Sequence, residues 1–335
     1  MVNFGIAGFG LHAAKRLMPG FSLAKNCRVT ALSRRDMAQA RKSAADFNIP
    51  HAFDSIAALC AAPEVDAVFV ATPNAMHLDD VLTAVKAGKP VLCEKPMAMN
   101  ADECRQMVEA ARQAKVLLGV AQIFRFDQSA HVLRDRIAAG QIGKVIFARS
   151  EFSFPGGANH ARKWLNDLSV AGGGPIADVG VHCIDTLRFI LQDEVVRVSA
   201  IGWSDTISQQ QEAAATLILE LSRGTLASVS VSFRAEYRTP LEFVGDSGVL
   251  RADNGLNVER PVTIELRRGW DVVETQTVSN ERAYAIQVEE FADAVEGRAT
   301  FPALGEQGWQ NQEILDAAYR SIRSGRTEQV AQIMG

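Results

Sequence analysis

VNFGIAGFGLHA, residues 2–13, decides how the first third of the chain folds. A short apolar run ends in Gly8, Gly10 follows after one residue, and Ala13 stands three further on. Read as a strand, a tight turn and the start of a helix, this is a Gly-x-Gly-x-x-Ala turn. Gly8 permits the turn, Gly10 lets the backbone approach a pyrophosphate at the helix N-terminus, and Ala13 lets the helix lie close on the strand. Such glycine pairs also arise by chance, so the reading depends on the flanking pattern.

Working outward, the pattern alternates. Strands are expected at 28–33, 65–72, 90–94 and 116–122, the second of them continuously apolar, as a parallel strand covered on both faces should be. Between them lie helical spacings at 36–47, 54–62, 76–88 and 100–114. Asp54 is read as an N-cap, Gly88 as a C-terminal stop, and Asn100 with Glu103 as a capping box. The first helix, from Leu11, is expected to stop at Pro19-Gly20. This repetition implies a doubly wound α/β Rossmann domain over 1–123. Beyond it the strands at 144–154, 195–203, 213–221, 224–233, 241–252 and 261–269 follow with few helices between them, and SRG (222–224) and GDSG (245–248) are hairpin signals. Residues 124–335 are therefore expected to form an α+β domain with a large, mostly antiparallel, open-faced sheet for substrate binding and oligomerisation. The last helix, about 305–324, is a candidate to return to the first domain. Helices at 125–140 and 174–192 would cover one sheet face. The other, with Val229, Val231 and Phe233 on one side, would stay open and join subunits as a homodimer or homotetramer.

Composition narrows the function. The 335 residues are 47% hydrophobic and 22% charged, with a net charge of −4 and no basic stripe, which argues against nucleic acid as a partner. The five cysteines are scattered with no CxxC pair, so neither a disulfide framework nor a zinc site is expected, and the setting is a cytoplasmic one. The N-terminus does not read as a signal peptide, and no apolar run is long enough to span a membrane.

Three stretches carry candidate chemistry. Strand two ends in Ser33-Arg34-Arg35 rather than in an acid; a hydroxyl and guanidinium suit a 2′-phosphate, so NADP is expected over NAD, with Asp36 keeping NAD as the alternative. Ligands of open α/β sheets bind beyond the carboxyl ends of strands, where ATPNAMH (71–77) and Glu94-Lys95-Pro96 fall. Lys95 can polarise or protonate an oxygen, a cis Lys95–Pro96 bond would suit its aim, and Glu94 can pair with Lys95 or orient a nicotinamide. In AGGGPIADVGVHCIDTLRFIL (171–191), Gly172–Gly174 read as a flexible approach. Asp178 and His182, four apart, share a helix face with Asp185 just beyond, an acid/base arrangement and a poor metal site. Cys183 is expected to face the core.

GFGLHA, ATPNAMH, AGKPVLCEKPMAMN, Phe124-Arg125-Phe126 and AGGGPIADVGVHCIDTLRFIL, in this order, resemble the glucose–fructose oxidoreductase/inositol dehydrogenase (Gfo/Idh/MocA) family over nearly the whole chain. The spacing within 166–194 is similar to that of 1,5-anhydro-D-fructose reductases and dimeric sugar dehydrogenases. The resemblance implies a nicotinamide-dependent oxidoreductase acting on sugars, polyols or their derivatives. It gives catalytic roles to Lys95, Asp178 and His182, with either Lys95 or His182 as the formal acid/base. It implies cofactor contacts from the turn Gly8-Phe9-Gly10-Leu11, from Ser33 and Arg34, from Thr72, Pro73, Asn74 and His77, from Glu94 and Lys95, and from Arg125, Trp164 and Tyr284. Trp164 is followed by Leu165 where relatives often carry arginine. Two other classes remain: an NAD-dependent glycosidase that oxidises its sugar transiently and keeps its cofactor, and a non-enzymatic NADPH-binding regulator. The loop 152–164 offers His160, Arg162 and Lys163 to a polar substrate.

Overall fold

The computed structural model describes residues 1–156, 163–205 and 211–333. They fall into two compact units, 1–123 with 284–309, and 124–283 with 310 onward. The second-half segment 284–309 thus belongs to the first unit. His160 and Arg162 lie outside the described residues.

The first unit holds β1 (Val2–Ala7), β2 (Cys27–Ser33), β3 (His51–Phe53), β4 (Ala67–Val70), β5 (Val91–Cys93) and β6 (Leu118–Val120), all parallel, in the order β3-β2-β1-β4-β5-β6. The order reverses between β1 and β4, which is where such sheets open a crevice at their carboxyl ends. Phe4, Ile6, Val68 and Phe69 are fully buried, as strands covered on both faces must be. Phe291 and Phe301, ring centroids 5.1 Å apart, close the β6 side: no Cβ fits at Gly119, where it would come 2.7 Å from Phe301.

Two local expectations are corrected. The first helix does not stop at Pro19-Gly20. It runs through a π-helical turn, Ala13–Leu17, into an α-helix, Met18–Leu23. Pro19 sits in the first turn after the register shift, where its missing N–H is least costly. Gly20 is there because Tyr284 passes so close that a Cβ would come 2.6 Å from it. The cap of the helix Ile56–Ala61 is Ser55, not Asp54: the Ser55 hydroxyl accepts from the Ala58 N–H. Asn100 does cap its helix, accepting from the Glu103 N–H at 2.9 Å, while the Glu103 carboxylate accepts from the Met99 N–H.

The second unit is built on a nine-stranded mixed sheet. Its strands are β7 (Val145–Ser153), β8 (Val195–Trp203), β9 (Ala214–Leu221), β10 (Leu226–Ser232), β11 (Leu241–Gly245), β12 (Val249–Ala252), β13 (Val262–Arg268), β14 (Asp271–Val278) and β15 (Glu328–Gln329), in the order β14-β13-β12-β11-β7-β10-β9-β8-β15. Only β7 and β10 run parallel to each other among these pairs. Helices Gln128–Ala138 and Ile176–Leu191 pack on one face. Val229 and Val231 belong to that covered face and are buried, which corrects their expected exposure. The open face carries the alternate set instead: Phe147, Ile201, Ile218 and Leu226, all exposed, interleaved with the ion pairs Arg149–Glu242 and Arg197–Glu220.

Candidate active site

The turn after β1 is shaped as the sequence requires. Gly8 has φ +80, and a Cβ there would come within 2.6 Å of Thr72, so only glycine fits. Gly10 differs: a Cβ would meet nothing nearer than the Gly8 carbonyl at 3.8 Å. Packing within the protein does not demand this glycine, and the space it leaves lies where a pyrophosphate would meet the N–H groups of the first helix. Phe9 is buried edge-on against Phe47, and Leu11 is exposed beside the turn. Gly8 and Phe9 both donate to the Ser33 carbonyl. The residues present therefore fit a dinucleotide.

At the end of β2, Ser33 is buried and Arg34 donates to the Ser43 hydroxyl at 2.9 Å. The Asp36 carboxylate accepts the N–H groups of Ala38 and Gln39 and so caps the helix Met37–Asp46.

After β4, Thr72 donates to Asp80 at 2.6 Å; burial pushes this carboxyl up, partly offset by that bond. Pro73 is half-buried and Asn74 buried. His77 is 0% exposed, with Nε2 2.8 Å from the Thr72 carbonyl and Nδ1 3.0 Å from the Pro96 carbonyl. It ties together the loops after β4 and β5. The Lys95–Pro96 bond is cis, and Lys95 is partly exposed. Glu94 bonds His12 Nε2 at 2.8 Å and accepts from the Lys95 N–H at 3.2 Å. Burial would raise its pKa, but the charges and hydrogen bonds of His12 and Lys95 outweigh this, and the net direction is down. Tyr284 lies edge-on to His12, with centroids 6.3 Å apart. His12 was not foreseen as a site residue, although it stands inside the quoted fingerprint.

In the second unit, Asp178 lies in a π-helical turn, Ile176–Gly180, that runs directly into the α-helix Val181–Leu191 carrying His182; single π turns concentrate at functional sites. Both side chains are nearly buried, at 5% and 8% exposure. The His182 ring meets the edge of Phe124 at 4.9 Å and stacks near Phe152 at 6.2 Å, so apolar walls set its orientation. The glycines before the helix are not a flexible approach. Gly172 is a left-handed C-cap at φ 75, a Cβ on Gly173 would strike the Tyr319 hydroxyl, and one on Gly174 would strike Glu212. Glu212 accepts from the Gly174 and Ile176 N–H groups and from Tyr319, seating the helix start; burial raises its pKa against these bonds. Neither Glu212 nor Tyr319 had a signal in the sequence, because each meets the glycines only through the fold.

Arg125, for which the resemblance implies a cofactor contact, lies in the second unit. It is 6% exposed and grips Asp185 with two hydrogen bonds, 2.8 and 2.7 Å. Asn311 donates to the same carboxylate at 2.8 Å and accepts from Arg188, which also pairs with Glu194. Asp185 is thereby an ion-pair partner rather than a third member of an acid/base set. Cys183 is fully buried, its thiol pushed up to about 12 by burial. Trp164 lies partly exposed in a 3-10 turn, Lys163–Asn166. No group of side chains among the described residues could hold a metal ion.

A parallel sheet with this glycine turn is the arrangement of a dinucleotide-binding domain, joined here to a mixed-sheet unit bearing a buried acid and imidazole on one helix. Residues 2–122 match the family model of an oxidoreductase family with an NAD-binding Rossmann fold, and residues 131–251 match the GFO/IDH/MocA C-terminal domain. The chain belongs to the Gfo/Idh/MocA family. It is 33% identical over 282 residues to a 1,5-anhydro-D-fructose reductase of Ensifer adhaerens, covering 83% of each chain. It is 32% identical to a D-xylose 1-dehydrogenase (NADP(+)) of Haloferax volcanii, over 96% of this chain and 98% of that one. Among solved structures, an aldose-aldose oxidoreductase from Caulobacter crescentus shares the fold with a TM-score of 0.90 at 22% identity, over 98% of this chain and 99% of the other.

Proposed function

We propose that the chain is an NADP(H)-dependent oxidoreductase of sugars, polyols or sugar-derived carbonyls, with Lys95, Asp178 and His182 as its catalytic residues. The observation that carries this reading is Lys95 set at the carboxyl end of β5, in the row of strand ends that the Gly8–Gly10 turn opens. Bound there, the nicotinamide supplies or accepts the hydride. Lys95 and His182 share two tasks, exchanging the hydroxyl proton and holding the substrate oxygen polarised, while Asp178 orients substrate and imidazole. The proposal requires the lysine and the imidazole to meet the same substrate oxygen. The relatives named for 1,5-anhydro-D-fructose and D-xylose support the substrate class. Testing aldoses, ketoses, inositols and 1,5-anhydrofructose with each dinucleotide, read at the nicotinamide absorbance band, decides it; no turnover on the whole panel would reject it.

The preference for NADP rests on Ser33, Arg34 and Arg35, and on Asp36, whose carboxylate is already engaged in capping a helix. Arg34→Ala combined with Arg35→Ala is expected to weaken NADPH by about 10- to 100-fold, the worth of one or two charge-assisted hydrogen bonds, with NADH little changed. Equal losses for both cofactors would count against the assignment.

We also place subunit association on the open sheet face and the enzyme in the cytoplasm, where its five buried, unbridged cysteines stay reduced. Ile201→Asp with Ile218→Asp puts charges into that apolar set and is expected to give monomers by light scattering. An unchanged mass would remove this face from consideration.

A further inference from the structure

His12 stands at the start of the helix after β1, and Glu94 directly follows β5. In the sheet, β4 lies between these two strands. The 2.8 Å bond from His12 Nε2 to Glu94 therefore crosses the carboxyl end of β4, over the crevice where a dinucleotide passes from the glycine turn toward Lys95. A carboxylate only accepts, so Nε2 carries the proton in this bond. Nδ1 is then the one polar atom of the ring left to present, and it has no partner among the described residues.

The ring's position is set, not incidental. The Glu94 side chain is only 13% exposed and its second oxygen accepts the Lys95 amide, while Tyr284 stands edge-on to the imidazole. His12 itself keeps 30% exposure.

Building on the dinucleotide reading above, we propose that His12 is a cofactor-contacting residue, its Nδ1 accepting a hydrogen bond from a hydroxyl of the nicotinamide ribose, with Glu94 as the positioning residue that aims it. Contact there falls on the nicotinamide half alone, so the adenine half is bound independently of His12.

The test compares whole dinucleotides with adenine-half fragments by equilibrium titration, needing no turnover: NADPH with 2′,5′-ADP, and NADH with 5′-AMP. His12→Phe keeps a ring and removes both nitrogens. It is expected to weaken the dinucleotide about 10-fold, the value of one well-placed hydrogen bond, and the fragment by less than about 2-fold. His12→Gln, which retains a polar end, recovers part of the loss. Glu94→Gln, which keeps a carbonyl acceptor for Nε2–H but loses its charge, gives a smaller loss of the same selectivity. If the dinucleotide is unaffected, or dinucleotide and fragment weaken alike, His12 makes no such contact. Wild-type protein that binds neither dinucleotide would overturn the oxidoreductase reading itself, a result separable from the first.

Discussion

His182→Ala and Lys95→Ala are each expected to lower kcat by about 100- to 10,000-fold, the range for losing a positioned acid/base group. NADPH affinity should change little for His182→Ala, because the imidazole lies in the unit that does not carry the glycine turn. The double variant should be only modestly worse than the worse single one, since groups that serve one proton transfer act together. The comparison His182→Asn adds a second reading: the Phe124 and Phe152 walls would still hold a side chain of similar reach, so folding is kept while proton transfer is not. Single-turnover absorbance of bound NADPH separates the chemical step from binding. Full turnover in both alanine variants would dismiss the assigned roles.

The second large effect concerns stability. Asp185 is buried with Arg125 forked onto it, Asn311 donating to it, and Arg188 anchored through Asn311 and Glu194. Removing the carboxylate strands a guanidinium that water cannot reach. Asp185→Ala is therefore expected to cost about 3–5 kcal/mol. The paired replacement Arg125→Met with Asp185→Leu should cost less than the single change, because no unpartnered charge remains in place of the salt bridge. Urea unfolding followed by tryptophan fluorescence reads both. A single variant losing under about 1 kcal/mol would mean that the network is relaxed by solvent in solution.

Much of the first unit was legible because its signals are short. A strand end, a glycine turn and a helix cap each occupy a few residues, and Asn100, Gly88 and the Gly8–Gly10 turn behave as their neighbours dictate. The failures have equally definite causes. The first helix passes Pro19 because a π turn shifts the bonding register just before it, something no composition rule encodes. The strand β14 went unread because an edge strand exposed along most of its length needs no apolar alternation. The assignment of sheet faces failed because period two says which residues lie together, not which side the helices take.

The same division runs through the candidate site. The sequence by itself determined which residue types stand at the strand ends and on the helix, namely the glycine turn, Ser33-Arg34, Lys95, Asp178 and His182, since those are properties of adjacent residues. Only the tertiary structure decided that His77 is buried beneath its loops, that Arg125 is committed to Asp185, that Tyr319 and Glu212 explain Gly173 and Gly174, and that Glu94 reaches His12. Apart from His77, whose partners Thr72 and Pro96 are 5 and 19 positions away, these are meetings of groups tens to more than a hundred positions apart, and local backbone preferences carry no information about such distances; packing settles them.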